Sequence, residues 1–151
     1  MKLYLSNIDD VARGMIGIPH KHLGRDPKVG LDCLGMAKEF YRRLGLPVRE
    51  VVEGEDSYLA AMELVSDNRD SFQRVQNYYA GGVLLLKMGG TFVPNHLGIV
   101  LDNTFMLDIE DRIGIHKIRL SIKSSLVHLA YKHKDIEILD PSYREVRPAY
   151  I

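Results

Sequence analysis

Leu31-Asp32-Cys33-Leu34-Gly35-Met36-Ala37-Lys38-Glu39-Phe40-Tyr41-Arg42-Arg43-Leu44-Gly45 is the stretch that decides the fold. Leu34, Ala37, Phe40, Tyr41 and Leu44 recur at three- and four-residue spacings, the period of one apolar helix face, and Gly45 supplies the stop. The spacing therefore predicts a helix over 33–44. Asp32 stands where a side-chain oxygen can cap the first turn. Cys33 then falls at the helix start, where unpaired N–H groups and the positive end of the helix dipole favour a thiolate. Gly35 and Ala37 carry little bulk, which is expected to let a substrate carbonyl approach the sulfur.

Cys33 is the only cysteine among 151 residues, so an intrachain disulfide framework and a multi-cysteine zinc site are both excluded. A lone cysteine is by default a small buried hydrophobe, and only its company can make it a working thiol. The bulk composition narrows that company. At 46% hydrophobic residues, with no internal repeat and no Pro- or Ser-rich linker, the chain reads as a single domain over 1–151. Lys and Arg number 20 against 20 Asp and Glu, which leaves no excess charge to attract nucleic acid or an anionic membrane. The most basic stretch, 117–134, has Ile118, Leu120, Ile122, Leu126, Leu129 and Tyr131 threaded through it and reads as a solvated face. No apolar run approaches the ~20 residues that span a bilayer, so no membrane insertion is expected. The first ten residues lack the apolar run of a signal peptide.

Outward from the helix, Ser6 or Asn7 is expected to cap a first helix carrying Ile8, Val11, Ala12 and Met15 and ending near Gly17 and Pro19. A loop follows over 24–30, and 56–79 reads as one or two short helices broken near 66–70. Then the period changes to two. Strands are expected over 83–87, 96–101, 105–109 and 113–120, a short helix over 121–131, and a last strand over 136–139. Helices first and strands afterwards predict an α+β fold, with N-terminal helices packed on an antiparallel β-sheet.

A thiol hydrolase needs a base near the sulfur and a third group to orient that base. His96 and Asp108 are the candidates. Alternation puts His96, Gly98 and Val100 on one face of their strand and Leu97, Ile99 and Leu101 on the other. In the next strand Met106 and Asp108 alternate with Phe105, Leu107 and Ile109. A three-residue turn, Asp102-Asn103-Thr104, with one residue left-handed, would set Leu101 opposite Phe105 and Gly98 opposite Asp108. Asp108 would then lie diagonal to His96, with Gly98 leaving room between them.

With these residues in place the chain resembles the NlpC/P60 family of papain-like cysteine hydrolases. Gly17-Ile18-Pro19-His20-Lys21-His22-Leu23-Gly24, Leu31-Asp32-Cys33-Leu34-Gly35-Met36 and Leu44-Gly45-Leu46 match the family's first block in order. Gly81-Gly82-Val83-Leu84-Leu85-Leu86, His96-Leu97-Gly98-Ile99-Val100-Leu101 and Phe105-Met106-Leu107-Asp108 match its second. His20 stands where the family usually has a tyrosine, and Gly82 where it usually has an aspartate. The wording of 22–27 and 30–33 is most similar to bacteriophage tail-associated members.

The resemblance implies Cys33 as nucleophile, His96 as general base and Asp108 as the third polar residue. It implies a substrate-binding wall at His20, Asp32 and Gly35, and hydrolysis of an amide in the peptidoglycan stem peptide, without a cofactor or metal. It further implies partners in a phage tail tip or baseplate, assembly in the host cytoplasm and a final location in the virion, where cell-wall cleavage would aid genome delivery. Two other readings remain open. His20-Lys21-His22 with Asp32 partly resembles the zinc motif of JAMM peptidases, although Val29 stands where that motif wants a serine. A structural tail-assembly subunit could also keep a weak or inactive hydrolase fold, with 50–79 as its docking surface.

Overall fold

The computed structural model describes residues 1–50 and 57–148. Its elements run β1 (Lys2–Leu3), α1 (Leu5–Met15), β2 (Arg25–Asp26), β3 (Gly30–Leu31), α2 (Cys33–Leu44) and α3 (Ser57–Asp67), then β4 (Phe72–Val75), β5 (Val83–Leu86), β6 (His96–Val100), β7 (Phe105–Glu110) and β8 (Gly114–Arg119). A single turn, α4 (Leu120–Lys123), leads through a short 3₁₀ segment to β9 (Val127–His133), and β10 (Glu137–Ile138) pairs in parallel with β1. The main sheet is antiparallel, six-stranded and ordered β4-β9-β5-β6-β7-β8.

Helix α2 keeps its expected bounds for the expected reasons. The Asp32 carboxylate accepts from the Gly35 N–H at 2.7 Å, and Gly45 closes the helix in the left-handed region at φ 82°. The cap of α1 differs from expectation. Tyr4 is the cap position, and Asn7 serves it from inside the first turn, its Oδ1 accepting from the Tyr4 N–H at 2.8 Å. Ile8, Ala12 and Met15 of α1, Leu34, Met36, Ala37, Phe40 and Tyr41 of α2 and Ala61 and Leu64 of α3 are buried against Val83, Leu85, Leu97, Ile99, Leu107 and Ile115 of the sheet. The helices thus cover one sheet face. The other face is apolar too: Leu84, Leu86, Val100 and Met106 are covered by Leu120 of α4 and by Val146, whose segment bridges Tyr78.

Two expected helices are corrected. Residues 127–131 form most of β9, the strand inserted between β4 and β5, because the exposed edge of β5 takes a partner over its length. Of the one or two short helices expected over 56–79, the first is α3, which ends at Asp67 inside the expected break; there Asn68 turns the chain, its Nδ2 donating to the carbonyls of Leu64 and Arg49 and its Oδ1 accepting from the Arg49 N–H, and among the described residues no second helix follows before 79. Phe72–Val75 then pairs with β9 as the sheet edge. Of the stretch 50–79 read as a docking surface, 51–56 lie outside the described residues, while Ala61, Leu64 and Val65 of α3 are buried in the core.

The β6–β7 register is the expected one. Ile99 faces Leu107 and Val100 faces Met106, which carried back sets Gly98 opposite Asp108. No residue of the turn adopts a positive φ. The Asp102 carboxylate makes the turn instead, accepting from the N–H groups of both Thr104 and Phe105 at 2.8 Å. The space above Gly98 is also used differently, since a Cβ there would lie 2.1 Å from the Met106 methyl. Gly98→Ala is therefore expected to overpack the sheet and cost about 1–3 kcal/mol, read as a lower urea midpoint, and to be less than additive with Met106→Ala in a double-mutant cycle.

Candidate active site

Three close approaches hold the start of α2. The Gly24 carbonyl lies where a Cβ on Gly35 would be, at 2.2 Å, so Gly35 is the residue that lets the 24–30 loop seat against the first helical turn. This corrects the expected role of Gly35: it is buried under that carbonyl and does not line the cleft. The Ile18 carbonyl accepts from the Ile115 N–H and would meet a Cβ on Gly114, which brings 17–20 against the start of β8. Pro19 O and Lys21 N–H then bond the two sides of Leu31. The chain before Cys33 is thus clamped between α2 and the sheet.

A cleft of about 530 Å³ opens at this junction, lined by His20, Asp32, Cys33, Met88, Asn95, His96, Ile109, Glu110 and Asp111. Cys33 is 6% exposed and is a free thiol. His96 Nε2 lies 2.6 Å from Asp108 Oδ1, and Asp108 itself is fully buried. An ionised Asp108 accepts from Nε2–H, which leaves Nδ1 as the nitrogen available to Cys33. Burial alone would push the His96 ring down, but Asp108 and the Cys33 sulfur together raise it to about 10. Burial would likewise raise Asp108; the hydrogen bond and charge of His96 and the charge of Lys123 hold it below the usual carboxylate range. In the first turn of α2 the Gly35 N–H is taken by Asp32 Oδ1 and the Met36 N–H by Asp32 O, leaving the N–H groups of Cys33 and Leu34 free among the described residues.

Asp32 turns toward the backbone. Besides capping α2, its Oδ1 accepts from Arg25 Nη1 at 2.6 Å, and Arg25 continues to Glu50 at 2.8 Å, which Lys38 also meets. Its other oxygen, Oδ2, is buried in the cleft wall without a hydrogen-bond partner. His20 lies at the cleft edge, 3.8 Å from Asp111, and His22 is exposed.

Several cleft residues escaped the sequence reading. Asn95 closes the base of the β5–β6 loop, its side chain bonding both the N–H and the carbonyl of Met88 beside His96. Glu110 follows Asp108 by two positions on the same strand face, a spacing that alternation could have revealed. Lys123 lies in the stretch expected to be a solvated face, yet it is buried, with Nζ 2.6 Å from Glu110 Oε1 and 3.7 Å from Asp108 Oδ2. Asp108, Glu110 and His116 offer three metal-ligand atoms within 4.8 Å of one another. The Lys123 ammonium already reaches both carboxylates of this group.

This fold is known from solved structures. It is the fold of NlpC/P60 domains. An NLP/P60 family protein similar to lipoprotein from Staphylococcus aureus is 21% identical over 85% of this chain, with a TM-score of 0.60. The NlpC/p60 domain of the peptidoglycan hydrolase SagA is 17% identical over 86%, with a TM-score of 0.59, and an NlpC/P60 family protein from Bacillus cereus is 14% identical over 87%, also at 0.59. The chain spans 41% of the S. aureus protein and 40% of the B. cereus protein, but 99% of the SagA domain. No family model matches the sequence, and no curated protein does.

The raised His96 ring has a measurable sign. Its folded value of about 10 exceeds the unfolded value near 6.5, so its contribution to stability is complete below about pH 6.5 and lost as pH rises through about 10. An NMR titration of the wild-type ring is expected to give a midpoint near 10, and Cys33→Ala a lower one. His96→Gln is expected to remove the corresponding loss of stability between pH 6.5 and 10.

Proposed function

We propose that this protein is a cysteine endopeptidase or amidase that cleaves an amide of the peptidoglycan stem peptide. The observation that carries the reading is one cleft shared by the chain's single cysteine, at a helix start, and a histidine whose far nitrogen is bound by a buried carboxylate. With the His96 ring already protonated, the Cys33 sulfur attacks the amide carbonyl as a thiolate. The free N–H groups of Cys33 and Leu34 receive the developing oxyanion. His96 gives its proton to the leaving nitrogen as the C–N bond breaks. A water molecule deprotonated by His96 then cleaves the thioester, releasing the acid and leaving the Cys33 sulfur beside the protonated His96 ring as at the start. Asp108 holds the ring in the required tautomer throughout.

Peptidoglycan as substrate is supported by the fold shared with the SagA hydrolase domain and by the sequence blocks around Cys33 and His96. The bond next to a γ-linked D-glutamate is the one the family resemblance favours. The wording of 22–27 and 30–33 supports a finer reading, in which the protein acts at a phage tail tip or baseplate, assembles there from the host cytoplasm and opens the wall for genome delivery. His20 at the cleft edge and Asp32 in its wall are the proposed substrate contacts.

Purified stem peptides incubated with wild-type protein are expected to give cleavage products by mass spectrometry, and Cys33→Ala none. Asp108→Asn is expected to keep the fold and lower kcat by about 10²- to 10⁴-fold. Intact peptides after incubation with folded wild-type protein would transfer the reading to a structural tail-assembly subunit that retains the hydrolase fold.

A further inference from the structure

The orienting carboxylate is only half accounted for by His96. Asp108 Oδ1 is committed to the ring, but Oδ2 is buried without any hydrogen bond. Among the described residues, the titratable groups facing it come from four elements. From β6 comes His96, beyond which lies Cys33 of α2; from β8 comes His116, with Nε2 at 3.7 Å; from α4 comes Lys123, with Nζ also at 3.7 Å; and β7 itself adds Glu110, which bonds Lys123.

The two groups at 3.7 Å are not equivalent. His116 Nδ1 lies 2.9 Å from the Gly114 carbonyl, an acceptor, so Nδ1 carries the proton. In the neutral ring Nε2 therefore turns a lone pair toward Asp108. Lys123 has no such ambiguity, since an ammonium only donates. Its side chain is 10% exposed and its second contact, Glu110 at 2.6 Å, holds the ammonium beside the sheet face on which Asp108 lies. A unit charge at this distance in a partly dry site outweighs what the same pair would contribute in water.

We infer that Lys123 is a positioning residue of the proposed active site: its buried ammonium keeps Asp108 ionised and its Oδ1 free to hold the His96 ring for Cys33. The inference rests on the Cys33–His96–Asp108 reading. Without the Lys123 charge, Asp108 takes up a proton at higher pH, the ring loses its anionic partner, and Cys33 loses its protonated neighbour. Lys123 does not line the cleft that holds Cys33, so its effect passes through Asp108.

The test follows Cys33 directly and needs no substrate: the rate of alkylation by iodoacetamide as a function of pH, in wild type, Lys123→Met, Lys123→Gln and Lys123→Arg. Folding of each is checked by circular dichroism, and Lys123→Gln, which can still bond Glu110, serves where Lys123→Met does not fold. Removal of the charge is expected to move the acid limb of the profile up by about one pH unit or more, and Lys123→Arg to restore it. A Lys123→Gln profile that superimposes on wild type would overturn the inference, as would a wild-type Cys33 that does not alkylate. Stem-peptide digestion run in parallel separates the two readings. A Lys123-dependent acid limb without peptide cleavage upholds the role of Lys123 and removes the proposed substrate.

Discussion

Everything at the cleft depends on three residues, 102–104, separating Leu101 from its partner Phe105 across the β6–β7 turn. Side chains alternate with a period of two, so a connection one residue shorter or longer would turn Asp108 to the face packed on the helices, away from His96. Asp102 enforces the length, because its carboxylate accepts from two successive N–H groups across the turn and makes a left-handed residue unnecessary. The register then propagates outward. Asp108 faces His116 on β8, and Gly98 faces Asp108 on β6, where the Met106 methyl takes the place a side chain would have filled. A local hydrogen-bond choice in one turn thus fixes a long-range pairing of charges.

The other half of the site is fixed by backbone approaching backbone. Gly24 against Gly35, and Gly114 against Ile18, allow carbonyls to occupy positions that any Cβ would block. Gly82 behaves the same way: a Cβ there would lie 2.3 Å from the Tyr131 carbonyl, so an aspartate could not stand at this position with β9 packed as it is. These contacts bring the cap of α2, the loop before it and the start of β8 to one point. The consequence is chemical, because that point is where Cys33 meets His96.

The helix at 33–44 and the four strands between 83 and 120 were legible because each carries its own period and its own stop residues. The β6–β7 pairing was legible because one turn length satisfied both apolar faces. What failed was non-local. Ile122, Leu126 and Leu129 fall at helical spacings, and only the vacant edge of β5, a partner some forty residues earlier in the chain, draws 127–133 into a strand. The same blindness hid Lys123. Among five basic residues in an apolar-laced stretch, nothing local distinguishes the one that α4 carries under the sheet from Lys117, which stays exposed beside Asp9.

Asp32 and Asp108 are built alike, and the likeness bears on why the site is arranged as it is. Each is nearly or fully buried, each commits Oδ1 to the His96 ring or to the start of α2, and each leaves Oδ2 without a hydrogen bond. A buried carboxylate with one idle oxygen is unfavourable unless a cation compensates it. Arg25 reaches Asp32 from the loop before α2, and Lys123 approaches Asp108 from α4 after the sheet. Each cation is in turn held by a second carboxylate, Glu50 and Glu110. Two such arrangements converge on Cys33 and His96 from opposite sides of the fold, where apolar packing would have been the cheaper way to fill the space. Stability alone does not favour that choice, whereas the proposed chemistry, in which Cys33 and His96 share a proton in a fixed orientation, does.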